Sequence, residues 1–338
     1  MEKAKIGDVA QQAGVSKSTV SQFLSGRYEY MSKDTKARID SAIKELNYIP
    51  NAIARSLKTN KTKTIGVIVR DISGFYTSRA LRGIDDFCKS SEYNVIIYNT
   101  DFDPNTEAKS LQSLQQLGVD GIIIASSGMN NELIDELNSN DCPIVQFQLE
   151  HDERNTSIVV TDYEKAAYDA TEYLIKLGHQ RICFLSQNFM NIKSRNERYQ
   201  GYLGALKKHD IDLDDRLIQY WDREAGFHQP IESIVGSTKS PTAFFTQHLA
   251  ITVDFLKAIE TLNLKMPSDF SLVGFDELPM ANFFKVPVTV IKQNPYEVGF
   301  QSAKLLLEHI ENKYRLIKKI TIPCSFEIKE STAQPKLS

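Results

Sequence analysis

The chain has 338 residues, of which 41% are hydrophobic and 25% charged, so it is too long for one compact core and ordinary enough in composition to be globular throughout. We therefore expect two or three domains. The formal charge of −3 hides an asymmetry, because residues 1–63 carry 12 Lys/Arg against 6 Asp/Glu and precede an acidic remainder. A basic block of this kind either binds an anionic polymer or is the solvated face of a small helical domain, and charge alone leaves both open.

Cysteine usage and the first residues indicate the compartment. Four cysteines stand far apart and form no CxxC pair, which argues against a zinc knuckle or a disulfide framework: Cys88, Cys142, Cys183 and Cys324. The opening MEKAKIGDVA lacks the apolar core of a signal peptide, and no apolar run approaches the roughly 20 residues that cross a bilayer. We expect reduced thiols in a soluble cytoplasmic protein that has no membrane partner.

The first predicted elements are three short helices, because apolar residues recur there at intervals of three and four. The first helix ends at Gly14, and the second follows the N-cap Ser16 and covers Lys17–Leu24. The third follows the N-cap Ser32. Side chains expected in this small core are Ile6, Val9, Ala10, Ala13, Val20, Phe23, Leu24, Ala37, Ile39, Ile43 and Leu46.

Beyond Lys63 the pattern changes to short apolar strands that alternate with amphipathic helices. The strands begin with TIGVIV, YNVIIYN, DGIIIAS and PIVQFQ, and the pattern restarts after Thr161 with RICFLS, IQYW, TAFFTQ and FSLVGF. This alternation predicts an α/β core of two doubly wound parallel-sheet lobes. Ligands of open α/β sheets bind at the carboxyl ends of the strands, so two facing lobes predict a cleft between those ends.

The stretch IGDVAQQAGVSKSTVSQFLSG predicts a helix-turn-helix, since a helix, a tight turn and a helix opening on small hydroxylated residues follow one another. Such a second helix enters the major groove by its N-terminal end, where free amides meet phosphate. Residues suited to phosphate contact are Ser16, Thr19 and Ser21. Residues able to reach base edges are Lys17, Ser18 and Gln22. An ordinary helical hairpin with solvated polar side chains is the alternative.

This stretch resembles the DNA-binding domain of the lactose-repressor (LacI/GalR) family, and ELNYIPNAIARSLKTNKTKTIGVIV is similar to that family's junction between headpiece and core. The similarity continues through RYQGY at 198–202, LVGFDELPMA at 272–281 and TVIKQNPYEVG at 289–299. It implies a regulator, without cofactor, metal or catalytic residues, that binds double-stranded operator DNA as a homodimer. It also implies a hinge helix in which Asn51, Ala54 and Leu57 contact DNA, with Leu57 wedged into the minor groove.

The resemblance suggests the following division of the chain. We expect a DNA-binding headpiece at 1–50, a hinge helix and linker at 51–63, an effector-binding and dimerisation core at 64–330, and a frayed tail at 331–338. Within the core, the first lobe is expected to comprise 64–161 and 292–322, and the second 162–291 and 323–330. The sequence contains no leucine-heptad tail of the kind that would indicate a helical tetramerisation bundle.

The core also resembles that of periplasmic sugar-binding proteins, and the family's ligand pocket matches four positions. Arg198 corresponds to the family's ligand-clamping arginine, and Asp276 to a carboxylate at the end of a strand; both groups can fix neighbouring hydroxyls. Trp221 matches an aromatic wall, and Tyr76 a position that often holds Phe. Either ring can pack on a sugar or simply fill the core.

Three places depart from the family's pattern, and all shift the charge of the cleft. Gln148 stands where members often have Asp. Thr246, Gln247 and His248 replace the family's AND motif, which removes another carboxylate. Arg70 adds a cation after the first strand, so the cleft favours anions. We expect an acidic effector, namely a sugar acid (2-keto-3-deoxygluconate-type), a keto-sugar acid or a sugar phosphate. The alternatives are that Arg70 faces solvent or pairs with Asp71, and that His248 is a surface residue.

An enzyme and a transport protein are the competing classes. The sequence contains no HExxH zinc motif, P-loop, GxSxG or glycine-rich dinucleotide fingerprint, which argues against an enzyme. A free-standing sugar-binding transport protein would carry a secretion signal instead of a helix-turn-helix. We therefore favour a repressor of carbohydrate catabolism genes, and the sequence leaves open whether the effector releases or tightens DNA binding.

Overall fold

The computed structural model of the chain describes residues 4–49, 61–148, 155–189, 192–237, 239–277, 285–312 and 314–336. These residues belong to two compact units, Met1–Lys63 and Thr64–Ser338. No helix in the described ranges is both long and apolar enough to cross a membrane.

The N-terminal unit contains the three predicted helices, α1 (Ile6–Ala13), α2 (Lys17–Leu24) and α3 (Lys33–Glu45). The turn after α1 passes through Gly14 at φ 62°, a left-handed conformation that glycine adopts without a Cβ clash. Ser16 and Ser32 cap α2 and α3 as predicted, each accepting a hydrogen bond from a backbone amide three residues on. The fully buried side chains of this unit are Val9, Val20 and Ile39.

The first lobe of the larger unit is a six-stranded parallel sheet with helices on both faces. Its elements are β1 (Thr64–Val69), α4 (Phe75–Ser90), β2 (Asn94–Asn99), α5 (Pro104–Leu117), β3 (Gly121–Ile124), α6 (Asn131–Ser139), β4 (Ile144–Phe147), β5 (Ser157–Thr161), α11 (Pro295–Glu311) and β12 (Lys319–Ile322). The spatial order is β12-β5-β4-β3-β1-β2. Because both faces are covered, β1, β3 and β4 are nearly continuous apolar runs.

The second lobe is a seven-stranded sheet in the order β13-β11-β10-β9-β6-β7-β8, in which only the two edge pairings are antiparallel. Its elements are α7 (Tyr163–Lys176), β6 (Ile182–Ser186), α8 (Lys193–Lys208), β7 (Ile218–Asp222), β8 (Gly226–Phe227), α9 (Ile231–Val235), β9 (Ala243–Thr246), α10 (Leu249–Thr261), β10 (Ser271–Phe275), β11 (Thr289–Lys292) and β13 (Ser325–Glu327). The predicted fold class, a helix-turn-helix domain with a two-lobed α/β core, is confirmed.

Helices α4 and α11 pack in backbone contact and set the geometry at one edge of the first lobe. A Cβ at Gly83 would collide with the carbonyl oxygen of Tyr296, and a Cβ at Gly299 with that of Ala80. Only glycine permits this approach at both positions. The contact holds the first turns of α11 against the middle of α4.

The prediction of a frayed tail from residue 331 is wrong for the tail residues that the structure describes. Ser331 is fully buried, and its hydroxyl donates to the carbonyl oxygen of Leu272 and accepts from the amide of Thr289. The carbonyl oxygen of Ala333 accepts from the buried ring of His179. These partners lie far away in the sequence, so local composition gave no sign of them.

Candidate DNA-binding helix and ligand cleft

The second helix of the N-terminal unit presents a polar face. Ser16, Lys17, Ser18 and Gln22 are exposed, whereas Val20 points into the core of the unit. The Ser16 hydroxyl accepts from the amide of Thr19 at 3.1 Å and lies 2.6 Å from the Ser18 hydroxyl. A hydroxyl cluster therefore surrounds the N-terminal end of α2, where the helix dipole favours an anion.

The remaining predicted DNA contacts divide into two groups. Thr19 and Ser21 are half-buried on α2, with the Thr19 hydroxyl 2.8 Å from that of Ser16. Asn51, Ala54 and Leu57 lie outside the described residues. Among the described residues, the predicted DNA contacts therefore lie on α2 and at its N-cap.

The larger unit contains a cleft of about 660 Å³, lined by residues from both lobes. It lies where the strands end, as expected for open α/β sheets. Six of the seven predicted effector residues line it: Arg70, Tyr76, Gln148, Arg198, Gln247 and Asp276.

Arg198 is the most tightly placed of these side chains. It extends from α8 and is only 6% exposed, with its guanidinium carbon 4.2 Å from the ring centroids of both Tyr163 and Phe275. The two rings hold the guanidinium by cation–π contact. Among the described residues, no group accepts a hydrogen bond from its Nε, although that atom is buried. A buried guanidinium with spare donors is well suited to an anionic or hydroxylated ligand.

Arg70 enters the cleft from the first lobe and is 7% exposed, so it does not face solvent. Its Nη2 donates to the carbonyl oxygen of Gln148 at 3.4 Å, and its guanidinium lies 5.7 Å from the ring centroid of Phe102. The neighbouring Asp71 accepts from the amide and hydroxyl of Ser73, and these hydrogen bonds lower the pKa of Asp71.

Asp276 and Gln247 are held by the protein itself. Asp276 has φ 80°, a strained conformation for a non-glycine residue, and its carboxylate accepts from the side chain of Gln293 and from the amide of Leu249. Gln247 is fully buried; its carbonyl accepts from the Ser186 hydroxyl at 2.9 Å, and its amide nitrogen donates to the Arg195 backbone at 2.9 Å. Gln247 therefore positions the first turn of α8.

His248 borders the cleft and caps α10. Its Nδ1 accepts from the amide of Ala250 at 3.2 Å, so the neutral ring carries its proton on Nε2. Burial lowers the pKa of His248; Asp276 opposes this shift, whereas the cleft's arginines reinforce it.

The prediction that Trp221 forms an aromatic wall of the pocket is wrong. Trp221 is 4% exposed in the apolar core of the second lobe, and its indole nitrogen donates to Asp254 on α10 at 3.0 Å. Its side chain faces the helix layer instead of the carboxyl end of β7. Arg223, just past that strand, lines the cleft.

Positive charge exceeds negative charge among the described residues that line the cleft. The cationic side chains are Arg70, Arg79, Arg195, Arg198, Arg223 and Lys292, against the carboxylates Asp71, Asp276 and Glu277. Sequence reasoning missed Arg79, Arg195, Arg223 and Lys292. Arg195 could have been identified from the sequence, because it lies one helical turn before Arg198 and therefore on the same face of the helix. Loop geometry determines the place of Arg223, and no local pattern indicates it.

A helix-turn-helix unit and a ligand-binding core of periplasmic-protein type define a ligand-controlled regulator of transcription. Residues 5–51 match the model of bacterial regulatory proteins of the lacI family, and residues 62–330 match that of periplasmic binding proteins and the sugar binding domain of the LacI family. The chain belongs to the LacI family and is a DNA-binding transcriptional repressor with a sugar-binding core.

Similarity to individual regulators supports the assignment to the LacI family, and a solved structure shares the fold. The chain is 38% identical over 312 residues to the probable HTH-type transcriptional regulator EndR of Paenibacillus polymyxa, a match that covers 90% of each protein. It is 31% identical to the HTH-type transcriptional repressor PurR of Vibrio vulnificus over 92% of this chain and 93% of that one. The lac repressor dimer bound to operator and the anti-inducer ONPF has the same fold, with a TM-score of 0.82 over 98% of this chain and 100% of that chain at 22% identity. The relatives compared are regulators, not enzymes.

Proposed function

We propose that the effector of this repressor is an anionic carbohydrate bound in the cleft, namely a sugar acid, a keto-sugar acid or a sugar phosphate. The observation that carries the proposal is a pair of buried guanidinium groups, Arg70 from the first lobe and Arg198 from the second. A carboxylate or phosphate between two guanidinium groups supplies both the opposite charge and the acceptor oxygens that they bind.

The charge pattern of the rest of the cleft supports an anion over a neutral sugar. Asp276, which could otherwise bind sugar hydroxyls, already accepts from Gln293 and Leu249. Gln247 has partners on both ends of its amide. The cleft's arginines therefore decide the sign of charge that a ligand meets, and that sign favours an anion.

An anion between the lobes gives the cleft a route to control DNA binding. A ligand that contacts Arg70 and Arg198 at once favours whichever arrangement of the lobes brings these arginines together. By linkage, such a ligand shifts the populations of the two arrangements by its difference in affinity for them.

For the DNA side, we propose a cytoplasmic homodimer in which two copies of α2 read the halves of a palindromic operator near carbohydrate catabolism genes. Ser16, Thr19 and Ser21 contact phosphate. Lys17, Ser18 and Gln22 contact base edges. Asn51, Ala54 and Leu57 belong to a hinge that contacts the minor groove.

The division of labour is tested with a chain that starts at Thr64, the first residue of the larger compact unit. This core should bind the effector with the affinity of the full chain and should not bind operator DNA. Specific operator binding by the core would remove the DNA-binding role from the first 63 residues.

The anion is tested by calorimetric titration of the full chain with sugar acids, sugar phosphates and the corresponding neutral sugars. Arg70→Ala should weaken binding of the acid by about 1.5 to 3 kcal/mol, the usual contribution of a hydrogen bond to a charged group. Lys109→Ala, an exposed change on the same lobe, is the matched control. A neutral sugar that binds more tightly than every acid, with Arg70→Ala without effect, contradicts the proposal.

A further inference from the structure

Three aromatic side chains form an exposed rim on the first-lobe side of the cleft. Phe75, Phe102 and Tyr296, the aromatic rim, all line the cleft, yet they are 41%, 63% and 38% exposed. Phe75 is the first residue of α4 and Tyr296 the second residue of α11, the two helices that the contacts of Gly83 and Gly299 hold together. Large rings left in water beside a ligand cleft offer apolar area that a bound molecule can cover.

The arginines of the cleft lie in two tiers of burial. Arg70 and Arg198 are 7% and 6% exposed and form the inner tier, whereas Arg79 and Arg223 are exposed and form the outer tier. The guanidinium of Arg79 lies 4.7 Å from the ring centroid of Phe75, so the outer tier adjoins the aromatic rim. The cleft thus offers cations at its base and cations with rings at its mouth.

The cleft is also large for a single sugar. At about 30 Å³ per water in the liquid, its volume of about 660 Å³ corresponds to roughly 20 waters. A single sugar acid has only about a dozen non-hydrogen atoms, whereas pockets of several hundred Å³ typically enclose molecules about twice that size. One ring bound at the inner arginines can reach Phe102, whose ring centroid lies 5.7 Å from the Arg70 guanidinium. It leaves room at the mouth of the cleft beside Phe75 and Tyr296.

We propose that the effector is an acidic disaccharide, whose acidic group binds Arg70 and Arg198 while its second ring covers the aromatic rim beside Arg79. The inference rests on the proposed acidic effector and adds its size and its second point of contact. A second ring stacked on Phe75, which adjoins the outer Arg79, adds apolar contact that a single ring at the inner arginines does not make.

Two matched pairs of ligands test this in the full chain by isothermal titration calorimetry. One pair is digalacturonic acid against galacturonic acid, and the other is cellobiose 6-phosphate against glucose 6-phosphate, which separates a carboxylate source from a phosphate source. In at least one pair the disaccharide should bind about tenfold more tightly or better. Phe75→Ala should remove most of that advantage and change the monosaccharide's affinity less than about twofold.

The control variant is Tyr314→Ala, which removes an almost fully exposed aromatic ring of the same lobe that does not line the cleft. It should leave every affinity unchanged. Equal affinity for the two members of both pairs, or an advantage that survives Phe75→Ala, overturns the disaccharide inference and leaves the acidic effector standing. Tighter binding of neutral galactobiose than of digalacturonic acid overturns the acidic effector itself, and binding of none of the four acids overturns both.

Discussion

The guanidinium carbon of Arg198 lies 4.2 Å from the centroid of the Tyr163 ring. Tyr163 is the first residue of α7, and burial raises the pKa of its phenol to about 12, so the ring stays neutral. The contact fixes the flat face of the guanidinium and leaves its edge for the cleft. The guanidinium of Arg198 is therefore already oriented before a ligand binds.

From this geometry we predict that Arg198→Ala lowers effector affinity by about 2 to 5 kcal/mol, the range for truncating one partner of a buried charge pair. Arg198→Lys should recover only part of the loss, because an ammonium neither stacks on aromatic rings nor forms the bidentate hydrogen bonds of a guanidinium. Calorimetric titration with an acid that binds the unmodified chain measures both. Arg216→Ala, an exposed arginine of the same lobe that pairs with Asp214, should change nothing. An Arg198→Lys variant with full affinity would show that charge alone matters.

Because Trp221 lies in the core of the second lobe and not in the wall of the cleft, we expect its substitution to affect stability more than effector binding. Trp221→Phe should keep effector affinity within about 0.5 kcal/mol, because the indole touches the core and not the cleft. The free energy of unfolding should fall by about 1 to 3 kcal/mol, since the indole hydrogen bond to Asp254 is lost from a buried position. Calorimetry and urea unfolding give the two values. A large loss of affinity in a stably folded variant would return Trp221 to the ligand site.

On α2, Gln22 and Ser16 should behave differently on DNA. Gln22→Ala should change the preference for one base pair by about 1 to 3 kcal/mol, whereas Ser16→Ala should weaken every sequence alike. Ser16→Ala also removes the N-cap of α2, which costs about 1 kcal/mol of helix stability. Binding of each variant to single-base changes of a selected operator separates the two patterns. A uniform loss for Gln22→Ala would exclude it from base contact.

Most of the fold could be predicted because its signals are local. Ser16 and Ser32 cap their helices through amides three residues away, and the apolar run of β1 follows from burial on both faces. Arg198 could be placed because it begins the recognisable motif RYQGY on a helix. These features depend on neighbours within one or two turns of chain.

What the sequence could not show depends on distant partners or on the direction of one side chain. Trp221 lies near the end of β7, where its ring could point either to the cleft or to the helix layer. Its hydrogen bond to Asp254 on α10 shows that it points to the helix layer. Phe102 reaches the cleft through a turn at φ 62°, which no propensity indicates. Ser331 is buried by residues about 40 and 60 positions earlier.

From the buried environment of His179 we predict how the free energy of unfolding changes with pH. Its ring is 1% exposed; Nδ1 lies 2.8 Å from the Thr242 hydroxyl, and Nε2 lies 2.9 Å from both the Ser271 hydroxyl and the Ala333 carbonyl oxygen. Since a carbonyl can only accept, Nε2 carries the proton of the neutral ring. Burial lowers the pKa of His179 below its ordinary value of 6.5. The unfolded chain therefore takes up a proton near pH 6.5 that the folded chain does not.

It follows that the His179 contribution to stability is fully present above pH 6.5 and is lost as the pH falls from there toward the lowered pKa of the folded state. His179 adds up to about 1.4 kcal/mol per pH unit to the slope of the free energy of unfolding within that window. Urea unfolding between pH 7.5 and 5.5 measures the slope. His179→Gln should make it shallower, although the variant is less stable at every pH. His228→Gln, which changes an exposed histidine of the same lobe, should leave the slope as it is. An unchanged slope in His179→Gln would mean that the buried ring accepts its proton as readily as a solvated one.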